Sequence, residues 1–213
     1  MALRSQALAK TDLAQTLTTY YSTPTSSTAV CTTRILITRL AFGANAGAAT
    51  LKIEDNAGTP TSHFLMNAVS MGANQFIEIR DLILPEGWKL RAFANVADVD
   101  IYISGVENLD SPTNPDMKVL GRLTLSGSLQ DVYTCPAGKR ALVQHMIIAS
   151  AATGGSITTI LNDTTRDTYI RNAMPIAANS IMEDHEIPDM DAGYRFRASG
   201  VGDITLFGYE ITV

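Results

Sequence analysis

Apolar residues recur along this chain with a period of two rather than 3.6. Residues 34–40 form a run rich in branched side chains, and residues 50–55 alternate apolar and polar. In residues 76–80, Ile77 and Ile79 fall on one face and Glu78 and Arg80 on the other, as a half-buried strand requires. Residues 141–148 and 157–161 repeat the scheme. Turn signals separate the runs at short intervals: Gly43-Ala44-Asn45, Asn56 to Pro60, Gly72-Ala73-Asn74, Pro85-Glu86-Gly87, Pro136-Ala137-Gly138, Gly154-Gly155 and Ala192-Gly193. Short strands with regular turns predict an all-β fold of the sandwich or jelly-roll kind. Residues 5–16 are the exception, reading either as a short helix or as an extended arm.

The pattern occurs twice. Asp100-Ile101-Tyr102-Ile103-Ser104-Gly105-Val106-Glu107 matches Asp203-Ile204-Thr205-Leu206-Phe207-Gly208-Tyr209-Glu210. Upstream, Gly87-Trp88-Lys89-Leu90-Arg91-Ala92 matches Gly193-Tyr194-Arg195-Phe196-Arg197-Ala198. Residues 65–74 match 170–179, and Tyr21-Ser22-Thr23-Pro24 matches Tyr133-Thr134-Cys135-Pro136. Four blocks in one order at nearly constant offset identify an internal duplication. Between the copies, Pro112 and Pro115 with Asn, Asp and Ser forbid a continuing strand. The expected organisation is an N-terminal arm over 1–20, a β-sandwich repeat over 21–108, a linker over 109–117 and a second repeat over 118–213.

Composition narrows the function. Hydrophobic residues make up 46% of the 213 and charged residues 17%, which supplies core material and argues against disorder. A net charge of −5 with scattered Lys and Arg offers no basic stripe to nucleic acid or an anionic membrane. No run approaches the ~18 apolar residues that cross a bilayer. The first ten residues lack an apolar signal core, so assembly in a cytoplasm is expected. Cys31 and Cys135 fall at different places in the two copies, which excludes a duplicated disulfide, and both are read as reduced thiols.

Candidate chemistry is sparse. The chain has no Gly-X-Gly-X-X-Gly, Walker or Gly-X-Ser-X-Gly motif. His63, His145 and His185 are isolated in sequence. Glu183-Asp184-His185-Glu186, with Asp189 and Asp191 nearby, would be the place for a divalent cation. Its counterpart, Glu78-Ile79-Arg80-Asp81, lacks the histidine, and the polar outer face of a strand is the preferred reading. Asp55 and Asp163 occupy equivalent turns and read as turn formers rather than paired acids. Trp88 and Tyr194 are expected to cover the ends of their cores. No catalytic, cofactor-binding or metal-binding residue is assigned, and the protein is expected not to be an enzyme.

Tyr133-Thr134-Cys135-Pro136-Ala137-Gly138-Lys139-Arg140-Ala141 resembles the opening of small β-sandwich structural proteins of tailed bacteriophages. Asn162-Asp163, residues 175–180, Ala192-Gly193-Tyr194 and residues 204–210 carry the same resemblance. The first copy departs from it at Thr25-Ser26-Ser27-Thr28, where Pro-Ala-Gly-Lys would be expected. The resemblance implies a virion component that is assembled in the bacterial host. A capsid decoration, or cement, protein that bridges capsomers is the leading expectation; a tail, collar or fibre-base protein is the alternative. Implied partners are the major capsid protein or other virion proteins and further copies of the chain, with residues 1–20 ordering on a partner. Two readings from other classes stand beside it. One is a carbohydrate-binding module with an aromatic platform around Trp88, Tyr102 or Tyr194. The other is a glycosidase using Asp184 or Glu186.

Overall fold

A computed structural model describes residues 5–25, 30–57, 61–110, 116–185 and 187–213. Within these the chain is all β and divides into two compact units, the first ending at Asn114 and the second beginning at Pro115. The first holds β1 (Ser5–Asp12), β2 (Thr18–Ser22), β3 (Val30–Phe42), β4 (Gly47–Glu54), β5 (Ser62–Met71), β6 (Phe76–Pro85), β7 (Lys89–Ala94) and β8 (Val99–Asp110). The second holds β9 (Asp116–Ser126), β10 (Gln130–Thr134), β11 (Lys139–Ala149), β12 (Gly155–Asn162), β13 (Asp167–Ile176), β14 (Ile181–Asp184), β15 (Arg195–Ser199) and β16 (Val201–Thr212).

Each unit is a jelly roll. In the first, sheets of order β1-β8-β3-β6 and β2-β7-β4-β5 are built from antiparallel pairs. In the second the orders are β9-β16-β11-β14 and β10-β15-β12-β13, the same arrangement strand for strand. Successive strands cross between the sheets except at β4–β5 and β12–β13, which pair directly; this is the two-Greek-key wiring of an eight-stranded jelly roll.

Residues 5–16 form neither helix nor free arm. Ser5–Asp12 is β1, paired with β8 from Ser5–Val106 to Asp12–Asp100. The long edge of β8 outweighs local helix propensity, since pairing satisfies a row of backbone groups that would otherwise stay open. The first repeat therefore begins ahead of residue 21. The expected linker is also shorter: β8 runs to Asp110 and β9 starts at Asp116, and residues 111–115 lie outside the described residues. So do residues 26–29, which overlap the stretch where the first copy departs from the resemblance, and 58–60, part of the turn predicted at Asn56 to Pro60.

The duplication extends to irregularities. Leu8 is passed over in the β1–β8 register, and Leu120 in β9–β16. Each bulged leucine reaches toward a glycine of the partner strand. A Cβ on Gly105 would stand 2.9 Å from Leu8 Cδ1 and one on Gly208 would stand 2.7 Å from Leu120 Cδ1. Further matching bulges fall at Leu36 and Gln144 and at Tyr20 and Val132. Ala68 and Ala173 both take positive φ, at 49° and 48°. Their amides donate to Thr50 Oγ1 and Thr158 Oγ1, each at 3.1 Å.

The bulge at Gln144 sets what β11 shows to each side. Before it, Ala141 and Val143 face the core; after it, Met146 and Ile148 do, joined by Ile157, Phe196, Ala198, Ile204 and Leu206. His145 and Ile147 are thereby turned to the other face of the sheet, and both are fully buried.

Candidate functional site

The sequence singles out residues 183–186, and the fold adds a residue to them that no local motif reveals. β14 pairs with β11 from Ala149–Ile181 to Met146–Asp184. One step beyond the ladder, His185 meets His145. The two rings stack with centroids 4.2 Å apart and planes 7° from parallel, and Phe207 lies against His145 at 5.9 Å. Glu183, two residues before His185, shares its face. Its Oε2 lies 3.2 Å from His145 Nε2 and 3.9 Å from His185 Nε2. Among the described residues this is the one group of three metal-ligating side chains within reach, with donor atoms all within 4.8 Å of one another.

The three differ in environment. His145 has a fully buried side chain, Glu183 is 23% exposed and His185 50%. His145 Nδ1 is buried without a hydrogen-bond partner, so stacking rather than a second hydrogen bond holds the ring.

The other acids grouped with His185 by sequence go elsewhere. Asp189 and Asp191 face Arg140 at 2.9 and 3.7 Å. Asp184 alternates to the opposite side and pairs with Arg171 of β13 at 2.6 Å. Glu186 lies outside the described residues. Asp55 accepts the amides of Ala57 and Thr61, and Asp163 those of Thr165 and Arg166; both carboxylates tie up their own turns. The hydrogen bonds from Thr165 hold the Asp163 carboxyl below its ordinary value.

The first unit has a corresponding cluster. By the duplication, Glu78 matches Glu183, Arg80 matches His185, Arg39 matches Ile147 and Ile37 matches His145. Glu78 is clamped by Arg39 at 2.8 Å and by Arg80, and these guanidinium groups, Arg80 first, hold its carboxyl below the usual range. The second unit keeps the glutamate and surrounds it with imidazoles. Spacing along the chain could not announce this, because His145 lies 38 residues before Glu183.

The buried tyrosines repeat strictly. Tyr21 donates to Glu107 at 2.7 Å and Tyr133 to Glu210 at 2.9 Å, and burial pushes both phenols well above their ordinary value. Tyr194 packs against the second core, and Trp88 is half-buried. Of the three aromatics considered for a sugar platform, Tyr102 is the exposed one. Cys31 and Cys135 are buried free thiols, with pKa raised chiefly by burial.

The fold and this cluster define an all-β chain of two tandem jelly-roll units. No protein-family model matches it, and no curated protein matches its sequence. Among solved structures it is similar to a protein assigned as an alpha-L-fucosidase from Bacteroides ovatus ATCC 8483, at 10% identity and a TM-score of 0.28. That match covers 97% of this chain and 39% of the other, so the chain spans well under half the length of that protein. It is also similar to the PBSX exported protein XepA, at 13% identity and a TM-score of 0.32, over 98% of this chain and 86% of that one. Likeness at this level bears on neither activity nor location.

Proposed function

We propose that the protein is a non-enzymatic structural component of a bacteriophage particle, with a capsid decoration role preferred over a tail, collar or fibre-base role. The observation that supports this reading is what the two units have in common. They share the strand order, the bulged leucines over glycine, the positive-φ alanines and the buried Tyr–Glu hydrogen bonds, all of which are scaffold. Among the described residues, the chemistry-bearing group, His145 with Glu183 and His185, occurs in the second unit alone. A duplication that retains shape rather than a reactive constellation suits a protein that works by its surfaces. Two linked units can engage two neighbouring sites on a lattice, the second at high effective concentration. The motif resemblance around Tyr133 to Ala141 points the same way. Partners would be the major capsid protein or other virion proteins, with self-association through sheet edges.

A carbohydrate-binding role is favoured by one observation. Phe76 is 58% exposed and Tyr102 37%, and both lie on the outer face of sheet β1-β8-β3-β6, with the Arg39 guanidinium 4.5 Å over the Phe76 ring. Gold-labelled antibody against the recombinant protein, applied to particles purified from the source lysate, separates these readings. Label spread evenly over heads supports decoration. Label confined to tails or tips moves the protein to the adhesion class, with sugar binding by F76A and Y102A variants as the next assay. Absence of label from all particles refutes the virion reading.

A further inference from the structure

We propose that His145, Glu183 and His185 form a binding site for a first-row divalent cation of the zinc type, with two imidazole nitrogens and one carboxylate oxygen as protein ligands.

Charge is the first argument. The first unit answers Glu78 with the fixed positive charges of Arg39 and Arg80. At the matching place the second unit offers Glu183 only imidazoles, which are positive when protonated and otherwise bring charge only by holding a metal ion. A divalent ion among the three donors restores the balance that the guanidinium pair supplies in the first unit.

Geometry is the second. Zinc bonds of roughly 2.0–2.2 Å in a tetrahedral arrangement put neighbouring donors about 3.3 Å apart. The separations from Glu183 Oε2 are 3.2 Å to His145 and 3.9 Å to His185. The stacked rings aim their nitrogens side by side, so closing on one ion requires one ring to tilt. His185, half-exposed and at the end of a strand, is free to do so; His145 is held by burial and by Phe207. Two imidazoles with one carboxylate select zinc, nickel or cobalt over magnesium and calcium, which prefer all-oxygen shells. His145 Nδ1 lacks the second hydrogen bond that ligating histidines usually make, so binding is expected about 10–100-fold weaker than at a fully supported site.

The placement also gives the ion a task. β6 has ten residues, nine of them paired with β3, whereas β14 has four, and its ladder stops at Asp184. An ion held by His145 on β11 and by Glu183 and His185 at the end of β14 would clip this edge strand where its backbone pairing ceases.

The test uses the untagged full-length chain, stripped with chelator and titrated with zinc chloride while the histidine ring signals are followed by NMR. Two of the three ring signals should move with one equivalent of zinc and the third, His63, should stay. Magnesium and calcium should move none. Calorimetry should show at least tenfold weaker zinc binding in H185Q and E183Q, and no change in E78Q. Cobalt should give ligand-field bands without a thiolate charge-transfer band, which separates this site from capture by Cys31 or Cys135. Unmoved ring signals, a shift of His63, a thiolate band, or full affinity in both H185Q and E183Q would each overturn the proposal. The wild-type NMR result stands even where a variant folds poorly.

Discussion

Buried and strained single residues carry the sharpest expectations. Glu54 is 7% exposed and accepts hydrogen bonds from Arg91 at 2.6 Å and Lys89 at 3.4 Å. Its carboxyl is held below the ordinary value of 4.5, chiefly by the Arg91 hydrogen bond. A carboxyl depressed on folding stabilises fully above its unfolded pKa, and the contribution is lost as pH falls through the folded value. E54Q should therefore cost about 1.5–3 kcal/mol at neutral pH, with the gap from wild type closing below pH 4.5. Urea denaturation at neutral pH and at about pH 3 checks both halves, and a gap unchanged at acid pH would refute the assignment. Ala173 is held at φ 48°, where a Cβ costs roughly 1–2 kcal/mol. A173G should raise stability by about 1 kcal/mol, provided that the amide still reaches Thr158 Oγ1; a destabilised A173G would show that the methyl packs productively.

Elements show where the two units diverge on a shared frame. Arg171 on β13 and Asp184 on β14 form an ion pair whose carboxylate is buried and whose guanidinium stays partly exposed, at positions that match Met66 and Ile79, both fully buried and apolar in the first unit. One scaffold thus accepts either solution at an edge, as expected where attraction and desolvation nearly cancel. Strand β1 is the element with the largest consequence. Deleting residues 1–13 removes a full strand and the buried Leu13 and uncovers the edge of β8. The loss should be on the order of 3 kcal/mol or more in the first unit, with aggregation through the freed edge. Denaturation monitored by Trp88 fluorescence reports on that unit specifically. A truncated chain with an unchanged transition would return residues 1–13 to the role of a dispensable arm.

For the whole molecule, duplication sets the architecture. Each unit closes its first sheet by pairing the first strand with the last, β1 with β8 and β9 with β16. Neither is complete until the chain has come full circle, and such non-local pairing makes folding slow. Residues in the duplicated blocks met at equivalent positions: Tyr21 and Tyr133 on Glu107 and Glu210, and Gly87 and Gly193 at positive φ. The copies do not share the His145 cluster or the exposed Phe76–Arg39 pair.

The period of two, the turn residues and the matched blocks were sufficient for the all-β class and the tandem arrangement, because strand alternation and turn chemistry act over a few neighbouring residues. The turn roles of Asp55 and Asp163 were legible for the same reason. Tertiary structure alone decided that residues 5–12 are a strand, because the edge they satisfy, Asp100 to Val106, lies far downstream in the chain. It also decided that His145 meets Glu183 and His185. A bulge at Gln144 reverses which face each later residue of β11 presents, and cross-strand register brings together side chains that no spacing along the chain relates.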